Sequence, residues 1–232
     1  MSLAIFDLDN TLIAGDSDYL WGQYLVDLGI VDPVAYEAAN TQFYEDYKQG
    51  RLDIDAFLNF ALEPLSRYEM SQLFEWRNLF IQNKIMPVML PAATDLIQAH
   101  VRQGRTPVII TATNAFVTAP IAQLLGIEWL IATEPEIVNN RYTGRYKGIP
   151  CFREGKVLRL AQWLKSTERD LGDSWFYTDS HNDIALLEAV EHPVAVDPDE
   201  HLRTTAQARQ WQTITLRSGE LSPDHQVLRE KP

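Results

Sequence analysis

A short run of consecutive apolar residues near the start of the chain ends in a pair of aspartates. Residues 3–6 read LAIF, and Asp7-Leu8-Asp9 follows directly. A continuous apolar run of this length is typical of a strand buried on both faces of a parallel sheet. Asp7 and Asp9 would then lie at the carboxyl end of that strand, the edge at which open α/β sheets bind ligands. Alternatively, the two side chains only stabilise the next turn through bonds to backbone amides.

Apolar residues then recur at helical spacing up to about residue 87. Helices are predicted over residues 17–28, 33–50, 54–64 and 70–81. Ser17 is predicted to cap the first of them, because a serine side chain accepts a hydrogen bond from the free amides at a helix start. The pattern predicts a small helical bundle inserted after the first strand, with most of its aromatic residues in the core of the bundle.

Helical and strand patterns alternate from residue 91 onward. Further helices are predicted over residues 92–103, 116–125, 154–164, 182–189 and 200–209. Further strands are predicted over residues 107–111, 129–132, 175–177, 193–196 and 213–216. A hairpin over residues 136–143 would turn at Asn139 and Asn140. Such alternation with short connections indicates an α/β fold with a doubly wound, Rossmann-like parallel sheet.

These patterns divide the chain into two domains. Residues 1–15 and 88–232 are predicted to form the Rossmann-like core, and residues 16–87 an inserted α-helical cap. The hydrophobic fraction of 46% and the charged fraction of 22% are those of an ordinary globular protein. Disorder is therefore expected only at the polar end, residues 217–232.

Net charge narrows the class of partner, and cysteine content indicates the cellular compartment. A formal charge of −12 argues against nucleic acid and against an anionic membrane as the main partner. The single cysteine, Cys151, cannot form an internal disulfide, and the sequence contains neither a signal peptide pattern nor an apolar stretch of membrane-spanning length. We expect a cytoplasmic monomer or homodimer that acts on a small metabolite.

Chemically active residues are predicted to converge at one edge of the sheet. Asp7 and Asp9 follow the first strand, Thr111 ends another, Asp179 follows a third, and Lys156 lies near the start of a helix between them. Crowded carboxylates raise one another's pKa unless a cation intervenes, and Mg²⁺ prefers hard oxygen ligands. Each residue alone has a simpler explanation, since a lysine near a helix start is usually solvated. Together they predict a magnesium-dependent phosphate site.

Four segments of the chain match the motifs of one enzyme superfamily. FDLDNT matches a D-x-D-x-T motif, VIITATN a second motif, REGKVL a third through its lysine, and YTDSHND a fourth. In this order they resemble the haloacid dehalogenase superfamily of aspartate-nucleophile phosphohydrolases. The helical insertion after the first motif resembles the cap of the branch that includes phosphoserine phosphatases. Within that branch, the chain is most similar to small bacterial phosphatases acting on histidinol phosphate and related monoesters.

The resemblance implies how the paired aspartates divide the chemistry. Asp7 would attack phosphorus and form an aspartyl-phosphate, which splits one difficult displacement into two easier ones. Asp9 would protonate the leaving oxygen and then activate the water that releases phosphate.

The resemblance also assigns the phosphate-binding groups. Thr111, the backbone amide of Ala112 and Asn182 would hydrogen-bond the phosphoryl oxygens. Lys156 would neutralise these oxygens and separate their charge from that of Asp7. Ala112 stands where the phosphoserine phosphatase branch favours glycine, a difference that keeps the backbone amide.

A third implication is the metal site. Mg²⁺ would be held by Asp7, the backbone carbonyl of Asp9 and Asp179, with Asp183 orienting these ligands. Thr178 precedes Asp179 where the family often has glycine. The simpler alternative for Asp183 is that it only stabilises a helix N-terminus.

The substrate is predicted from one residue that is present and one that is absent. In phosphoserine phosphatases an acidic residue nine positions after the nucleophile meets the substrate ammonium, and Asp16 fills that position. The cap arginine that meets the substrate carboxylate is expected near residues 59–61, which here read NFA. Arg51 or Arg67 could replace it. Without that arginine an amine-bearing phosphate such as L-histidinol phosphate fits best, with phosphoserine or another small phosphate as the alternative.

Other functions share parts of this pattern. A phosphotransferase or mutase would use the same residues, because an acceptor replaces water at the phosphoaspartate. A dehalogenase would not need the second carboxylate, Asp9. A signalling receiver, which is a binding module, also uses aspartate, threonine, lysine and Mg²⁺ but has no large helical insertion. A phosphomonoester hydrolase is therefore the preferred prediction.

Overall fold

A seven-stranded sheet lies at the centre of the computed structural model, which describes residues 2–217. The strand β1 covers Leu3–Phe6, as the apolar run predicts. The other strands are β2 (Thr106–Asn114), β3 (Trp129–Val138), β4 (Arg141–Lys147), β5 (Trp175–Thr178), β6 (His192–Val196) and β7 (Gln212–Ile214). The polar end predicted to be disordered lies, from residue 218 on, outside the described residues.

The order of the strands brings the ends of three of them together. In the order β4-β3-β2-β1-β5-β6-β7, β1 is central and pairs in parallel with β2 and β5. β3, β6 and β7 continue the parallel sheet, and β4 returns antiparallel to β3. The predicted fold class is confirmed, and the carboxyl-terminal parts of β1, β2 and β5 meet at one edge of the sheet.

Helices cover both faces of this sheet. They are α1 (Ser17–Asp27), α2 (Pro33–Lys48), α3 (Ile54–Leu62), α4 (Met70–Phe80), α5 (Pro91–Arg102), α6 (Ala115–Leu124), α7 (Glu154–Thr167), α8 (Ile184–Leu187) and α9 (Glu200–Arg209). Alternate residues of a strand face opposite sides. Leu3 and Ile5 therefore pack with α7, α8 and α9, and Ala4 and Phe6 with α1, α5 and α6. None of the described helices is long and apolar enough to cross a membrane.

The predicted cap of α1 is wrong by one residue. Asp16, not Ser17, is the cap: its backbone is extended and its side chain accepts a hydrogen bond of 2.8 Å from the amide of Tyr19. Ser17 is the first helical residue, and its amide donates to a carboxylate oxygen of Asp9 at 2.6 Å. Aspartate and serine both cap helices well, so their identities did not decide between neighbouring positions.

The predicted helix over residues 182–189 is also shorter in the structure. His181–Asp183 forms a 3-10 turn, and α8 follows with only four residues. The Ser180 side chain accepts from the amide of Asn182 at 3.2 Å, and the Thr178 hydroxyl donates to Asp183 at 2.7 Å. These local bonds compete with regular helical bonding, which explains the tighter turn.

The two connections between the sheet and the segment that holds helices α1 to α4 lie side by side. Ile13 pairs with Met89 in an isolated antiparallel bridge, and the amide of Ala14 donates to the carbonyl of Val88 at 2.7 Å. Helices α1 to α4 all lie between these two connections. The division into core and cap at residues 15 and 88 stays a prediction, and the paired connections are compatible with it.

Candidate active site

Asp7 lies just beyond β1 and contacts a buried lysine. The Nζ of Lys156 lies 3.0 Å from Oδ1 of Asp7 and 2.7 Å from Oδ2 of Asp183, and all three residues are buried. Burial is the main cause that raises the pKa of Asp7 to about 7; Lys156 lowers this pKa, and Asp183 and Asp9 raise it. Although burial opposes the charge on Lys156, Asp183 and Asp7 hold its pKa above the usual value. Lys156 is therefore a fixed cation beside Asp7.

Asp9 is held by hydroxyl and amide donors instead of a cation. Its Oδ1 accepts from the amide of Ser17 at 2.6 Å. Its Oδ2 accepts from the hydroxyls of Thr113 at 2.8 Å and Thr111 at 3.3 Å. The sequence prediction missed Thr113, although side chains two apart in an extended segment share a face and both threonines belong to β2. The predicted contact of Thr111 with a phosphoryl oxygen stays a prediction.

Asp179 follows β5 and lies beside the same edge. The Thr11 hydroxyl donates to Oδ1 of Asp179 at 3.1 Å, and the Asp179 amide donates to that hydroxyl oxygen at 3.0 Å. Burial first, and then the charge of Asp7, raise the pKa of Asp179 well above its usual value, although the bond from Thr11 opposes this shift. Sequence reasoning gave Thr11 no role, although it is the threonine of the first motif.

The oxygen ligands that Asp7 and Asp179 offer fit a divalent cation. Asp7 is buried and Asp179 is half-buried, and the charge of Asp7 raises the pKa of Asp179, a repulsion that a bound cation would relieve. No cluster of three or more carboxylate, imidazole or thiol groups that could hold a metal occurs within residues 2–217. The predicted site therefore depends on two carboxylates and the backbone carbonyl of Asp9, which leaves room for the water ligands that Mg²⁺ retains.

Asn182 connects the fourth motif to the end of α2. Its side chain accepts a hydrogen bond of 2.9 Å from Nε of Arg153 and donates to the backbone oxygen of Tyr47 at 3.3 Å. Arg153 also bonds the carbonyl of Gly50, and the Tyr47 hydroxyl donates to Oγ of Ser180 at 3.1 Å. The sequence prediction missed Arg153. The predicted phosphate contact of Asn182 stays a prediction.

A cavity opens over Asp7 and Asp9. Its volume is about 570 Å³, including the space open to solvent at its mouth. The predicted site residues that line it are Asp7, Asp9, Asp16, Thr111, Ala112 and Lys156, whereas Asp179, Asn182 and Asp183 contact the surrounding structure. Its outer wall is aromatic, formed by Tyr19, Phe43, Tyr44, Tyr47 and Phe57. The structure thus joins the motif residues to side chains of α1, α2 and α3.

The charges around the cavity favour a cationic ligand group at a distance from Lys156. Lys156 is the one cation among the described lining residues. Arg51 instead pairs with Asp46 at 2.8 Å and Arg67 with Glu63 at 2.7 Å, and neither lines the cavity. Burial first, and then Asp9, raise the pKa of Asp16 to about 7, although backbone amides oppose the shift.

Comparisons with known proteins agree with the four motifs. The model of the family "haloacid dehalogenase-like hydrolase" matches residues 4–188. A histidinol-phosphatase from Neisseria meningitidis serogroup C is 44% identical over 220 residues, which cover 93% of this chain and 99% of that protein.

Two solved structures share the fold. A protein of unknown function from Bordetella pertussis Tohama I has a TM-score of 0.87 and 44% identity, covering 93% of this chain and 98% of its own. A phosphoserine phosphatase solved with bound substrate has a TM-score of 0.67 and 16% identity, covering 88% and 89%, which supports the fold alone. The family prediction is confirmed: the chain belongs to the haloacid dehalogenase-like hydrolases and is a phosphomonoester hydrolase.

Proposed function

We propose that the protein hydrolyses a small amine-bearing phosphomonoester through a covalent phosphoaspartate on Asp7. The observation that carries this proposal is the buried contact between Asp7 and Lys156 at the floor of the cavity. A carboxylate beside a fixed cation can approach an anionic phosphate, because the cation offsets the repulsion between them. The second carboxylate, Asp9, lines the same cavity and supplies a proton-transfer group.

The two carboxylates perform complementary steps. An oxygen of Asp7 forms a bond to phosphorus while the bond from phosphorus to the leaving oxygen breaks, and protonated Asp9 gives its proton to that oxygen. Water then attacks the phosphoaspartate, Asp9 accepts its proton, and the Asp7 carboxylate is released with inorganic phosphate. The amide of Ser17 and the hydroxyl of Thr113 hold Asp9 in place for both transfers.

We propose Mg²⁺ as the cofactor, held by Asp7, Asp179 and the backbone carbonyl of Asp9. Bound there, it would polarise the phosphoryl group and stabilise the charge that develops on its oxygens. Asp183 acts at a distance from this position, because its Oδ2 is engaged by Lys156 and by Thr178. It holds the lysine against Asp7 and thereby keeps the ammonium group on the side of the nucleophile.

We propose L-histidinol phosphate as the substrate, with phosphoserine as the second candidate. Asp16 offers a carboxylate to the substrate amine in a cavity whose walls are aromatic. A substrate carboxylate would find no arginine among the described lining residues. An unpaired buried charge is costly, so phosphoserine is disfavoured. The histidinol-phosphatase that is 44% identical to this chain supports the same choice.

A panel of phosphomonoesters assayed with Mg²⁺ tests this function. We expect L-histidinol phosphate to exceed O-phosphoserine in kcat/KM. Asp16→Asn should lower the ratio of kcat/KM for histidinol phosphate to that for p-nitrophenyl phosphate by about tenfold or more, the effect of losing one charge-assisted contact.

The matched control is Asp32→Asn, which changes the cap of α2 on the exposed surface. Asparagine caps helices as well as aspartate, so neither variant removes a helix cap. The ratio should not change in Asp32→Asn. A first rank for phosphoserine, or an unchanged ratio in Asp16→Asn, would show that the substrate assignment is wrong.

A further inference from the structure

Asp18 is a buried carboxylate on the cavity wall that the proposed mechanism does not use. It is the second residue of α1, is only 8% exposed, and lines the cavity together with Asp16. Its Oδ1 receives a long hydrogen bond of 3.3 Å from the side-chain amide of Asn114. Its Oδ2 is buried and has no hydrogen-bond partner among the described residues. This oxygen lacks a donor that a ligand in the cavity would supply.

The other carboxylates of the site differ from Asp18 in their partners. Asp7 has an ammonium group, Asp9 has two hydroxyls and an amide, and Asp179 has the Thr11 hydroxyl. Asp16 accepts bonds from backbone amides at the start of α1. Asp18 is thus the carboxylate on the cavity wall that has a buried oxygen without a hydrogen-bond partner, and no cation within residues 2–217 forms an ion pair with it.

A purely structural role does not explain this placement. An acidic residue in the first turn of a helix is favourable where it is solvated, because the helix dipole attracts it. Asp18 is instead buried, and burial first, then Asp16 and Asp9, raise its pKa well above the usual value. Leaving a buried polar oxygen without a partner costs stability. Such a cost at a ligand cavity is explained when a ligand supplies the missing donor.

The aromatic lining of the cavity that contains Asp18 fits a cationic ring. Tyr19 and Tyr44 lie on the cavity wall with their ring centroids 5.1 Å apart, and Phe43 and Phe57 lie 5.5 Å apart. Aromatic faces attract cations and pack against flat rings. The cavity therefore combines, beyond the phosphate position, two carboxylates with aromatic walls.

We propose that Asp18 binds a second basic nitrogen of the substrate, distinct from the nitrogen that Asp16 binds. The inference rests on the proposed function and makes it more specific: the substrate class is a phosphomonoester with two basic nitrogens, one an amine and the other in a flat ring. In L-histidinol phosphate these are the amine and the imidazole.

The test compares substrates that carry two, one or no basic nitrogens. Asp18→Asn is assayed on L-histidinol phosphate, O-phosphoethanolamine and p-nitrophenyl phosphate. We expect kcat/KM for histidinol phosphate, relative to phosphoethanolamine, to fall by about tenfold or more, and the loss to lie in KM. Asp27→Asn is the control, because Asp27 lies in the same helix but is exposed and paired with Lys84, so the ratio should not change.

A second measurement uses the wild-type protein and does not depend on the variant folding. Histamine and phenethylamine share an ethylamine chain and a flat ring, but only histamine carries a basic ring nitrogen. As a competitive inhibitor, histamine should bind at least about tenfold more tightly than phenethylamine. This preference should disappear in Asp18→Asn, and the melting temperature of the ligand-free variant should not fall below that of wild type.

The outcomes separate this inference from the proposed function. Preference for histamine together with poor hydrolysis of histidinol phosphate would support the second nitrogen site and would show that L-histidinol phosphate is not the substrate. Equal losses in Asp18→Asn on histidinol phosphate and phosphoethanolamine would show one shared cation site and overturn the inference. Equal binding of histamine and phenethylamine by the wild type, or a lower melting temperature with unchanged substrate ratios, would overturn it as well.

Discussion

Asp7 and Asp9 are two positions apart, yet their side chains meet different kinds of partner. Asp7 contacts the ammonium group of Lys156, and Asp9 contacts hydroxyl and amide donors. A cation stabilises the charged form of a nucleophile, whereas hydroxyl and amide donors fix the orientation of a carboxylate. At the scale of the residue, the proposed division between nucleophile and acid–base group rests on this difference in partners.

Replacing each aspartate should therefore have a distinct effect. Asp7→Asn should abolish both turnover and the phosphoenzyme, because no nucleophilic oxygen remains. Asp9→Asn should slow turnover by about 10²- to 10⁴-fold, the usual contribution of general acid–base catalysis. Steady-state kinetics and acid trapping of the phosphoenzyme measure the two effects. Substantial activity in Asp7→Asn, purified free of other phosphatases, would contradict the assignment.

We expect Asp16 to give the enzyme a pH dependence near neutrality. Its carboxyl has a pKa of about 7 against 3.8 for an unperturbed group, so the ligand-free site is largely protonated below about pH 6. A cationic amine needs the charged form. We expect kcat/KM for histidinol phosphate, relative to p-nitrophenyl phosphate, to rise between about pH 6 and pH 8, and Asp16→Asn to lose this rise.

The same pKa sets the sign of a stability effect. Between about pH 4 and pH 7 the native protein retains a proton on Asp16 that the unfolded chain has released. The contribution of this group to the free energy of unfolding must therefore fall as pH rises through that range. The melting temperature of Asp16→Asn, relative to that of wild type, should therefore increase as pH rises through this range. A difference independent of pH would contradict the raised pKa.

At the scale of the element, α1 carries three separate functions in its first turn. Asp16 caps the helix, the amide of Ser17 holds Asp9, and Asp18 lines the cavity. The start of one helix thus fixes the proposed general acid, Asp9, relative to the two carboxylates that we propose contact the rest of the substrate. A shift of this helix by one residue would separate these functions.

Periodicity predicted most of the elements because the buried faces of strands and helices repeat regularly. It failed at residues 182–189, because the side chains of Ser180 and Thr178 form hydrogen bonds there that compete with regular helical bonding. The motif order located the aspartates and Lys156 of the site. Thr113 and Arg153 were missed because their partners, Asp9 and Gly50, lie far away in sequence. For Thr113 the two-residue period of the strand gave the one local indication, a shared face with Thr111.

Arg153 also adopts a backbone conformation that favours glycine, with φ 50° and ψ −122° just before α7. Such conformations cost about 1–3 kcal/mol for other residues. Arg153→Ala and Arg153→Gly both remove the guanidinium bonds, but only glycine relieves the strain. We expect Arg153→Gly to melt higher than Arg153→Ala, by about 2–4 °C for each kcal/mol of relief.

The control pair is Leu158→Ala and Leu158→Gly at an exposed position within α7. Ordinary helix propensity there should make the alanine variant the more stable by about 1 kcal/mol. If the Arg153 pair showed the same order as the Leu158 pair, the strained backbone at Arg153 would be refuted.

At the scale of the whole molecule, the site exists because β1 lies between β2 and β5. Asp7 follows β1 and Asp179 follows β5, so a cation shared by the two would link neighbouring central strands. The parallel sheet was implied by the alternation of strands and helices, whereas the order of its strands and the contacts of the helical segment over the cavity required the three-dimensional structure.

Mg²⁺ should accordingly act on both activity and stability. Thorough chelation with EDTA should abolish turnover, and added Mg²⁺ should restore it and raise the melting temperature, because a ligand that binds only the native state stabilises it. Asp179→Asn should weaken both responses. The control is Asp170→Asn on the surface, where the native carboxylate accepts a bond from a nearby loop amide; this variant should show both responses in full. Full turnover in a metal-free preparation would contradict the magnesium site.

The bridge between Ile13 and Met89 has an evolutionary consequence. Because the chain departs from the sheet and rejoins it within one pair of residues, the length of the intervening segment places no demand on the spacing of the catalytic groups. The helices beyond the first turn of α1 can therefore change in length without moving Asp7 or Asp179, whereas that first turn must persist because the amide of Ser17 holds Asp9. New cavity walls can arise in this way around an unchanged nucleophile.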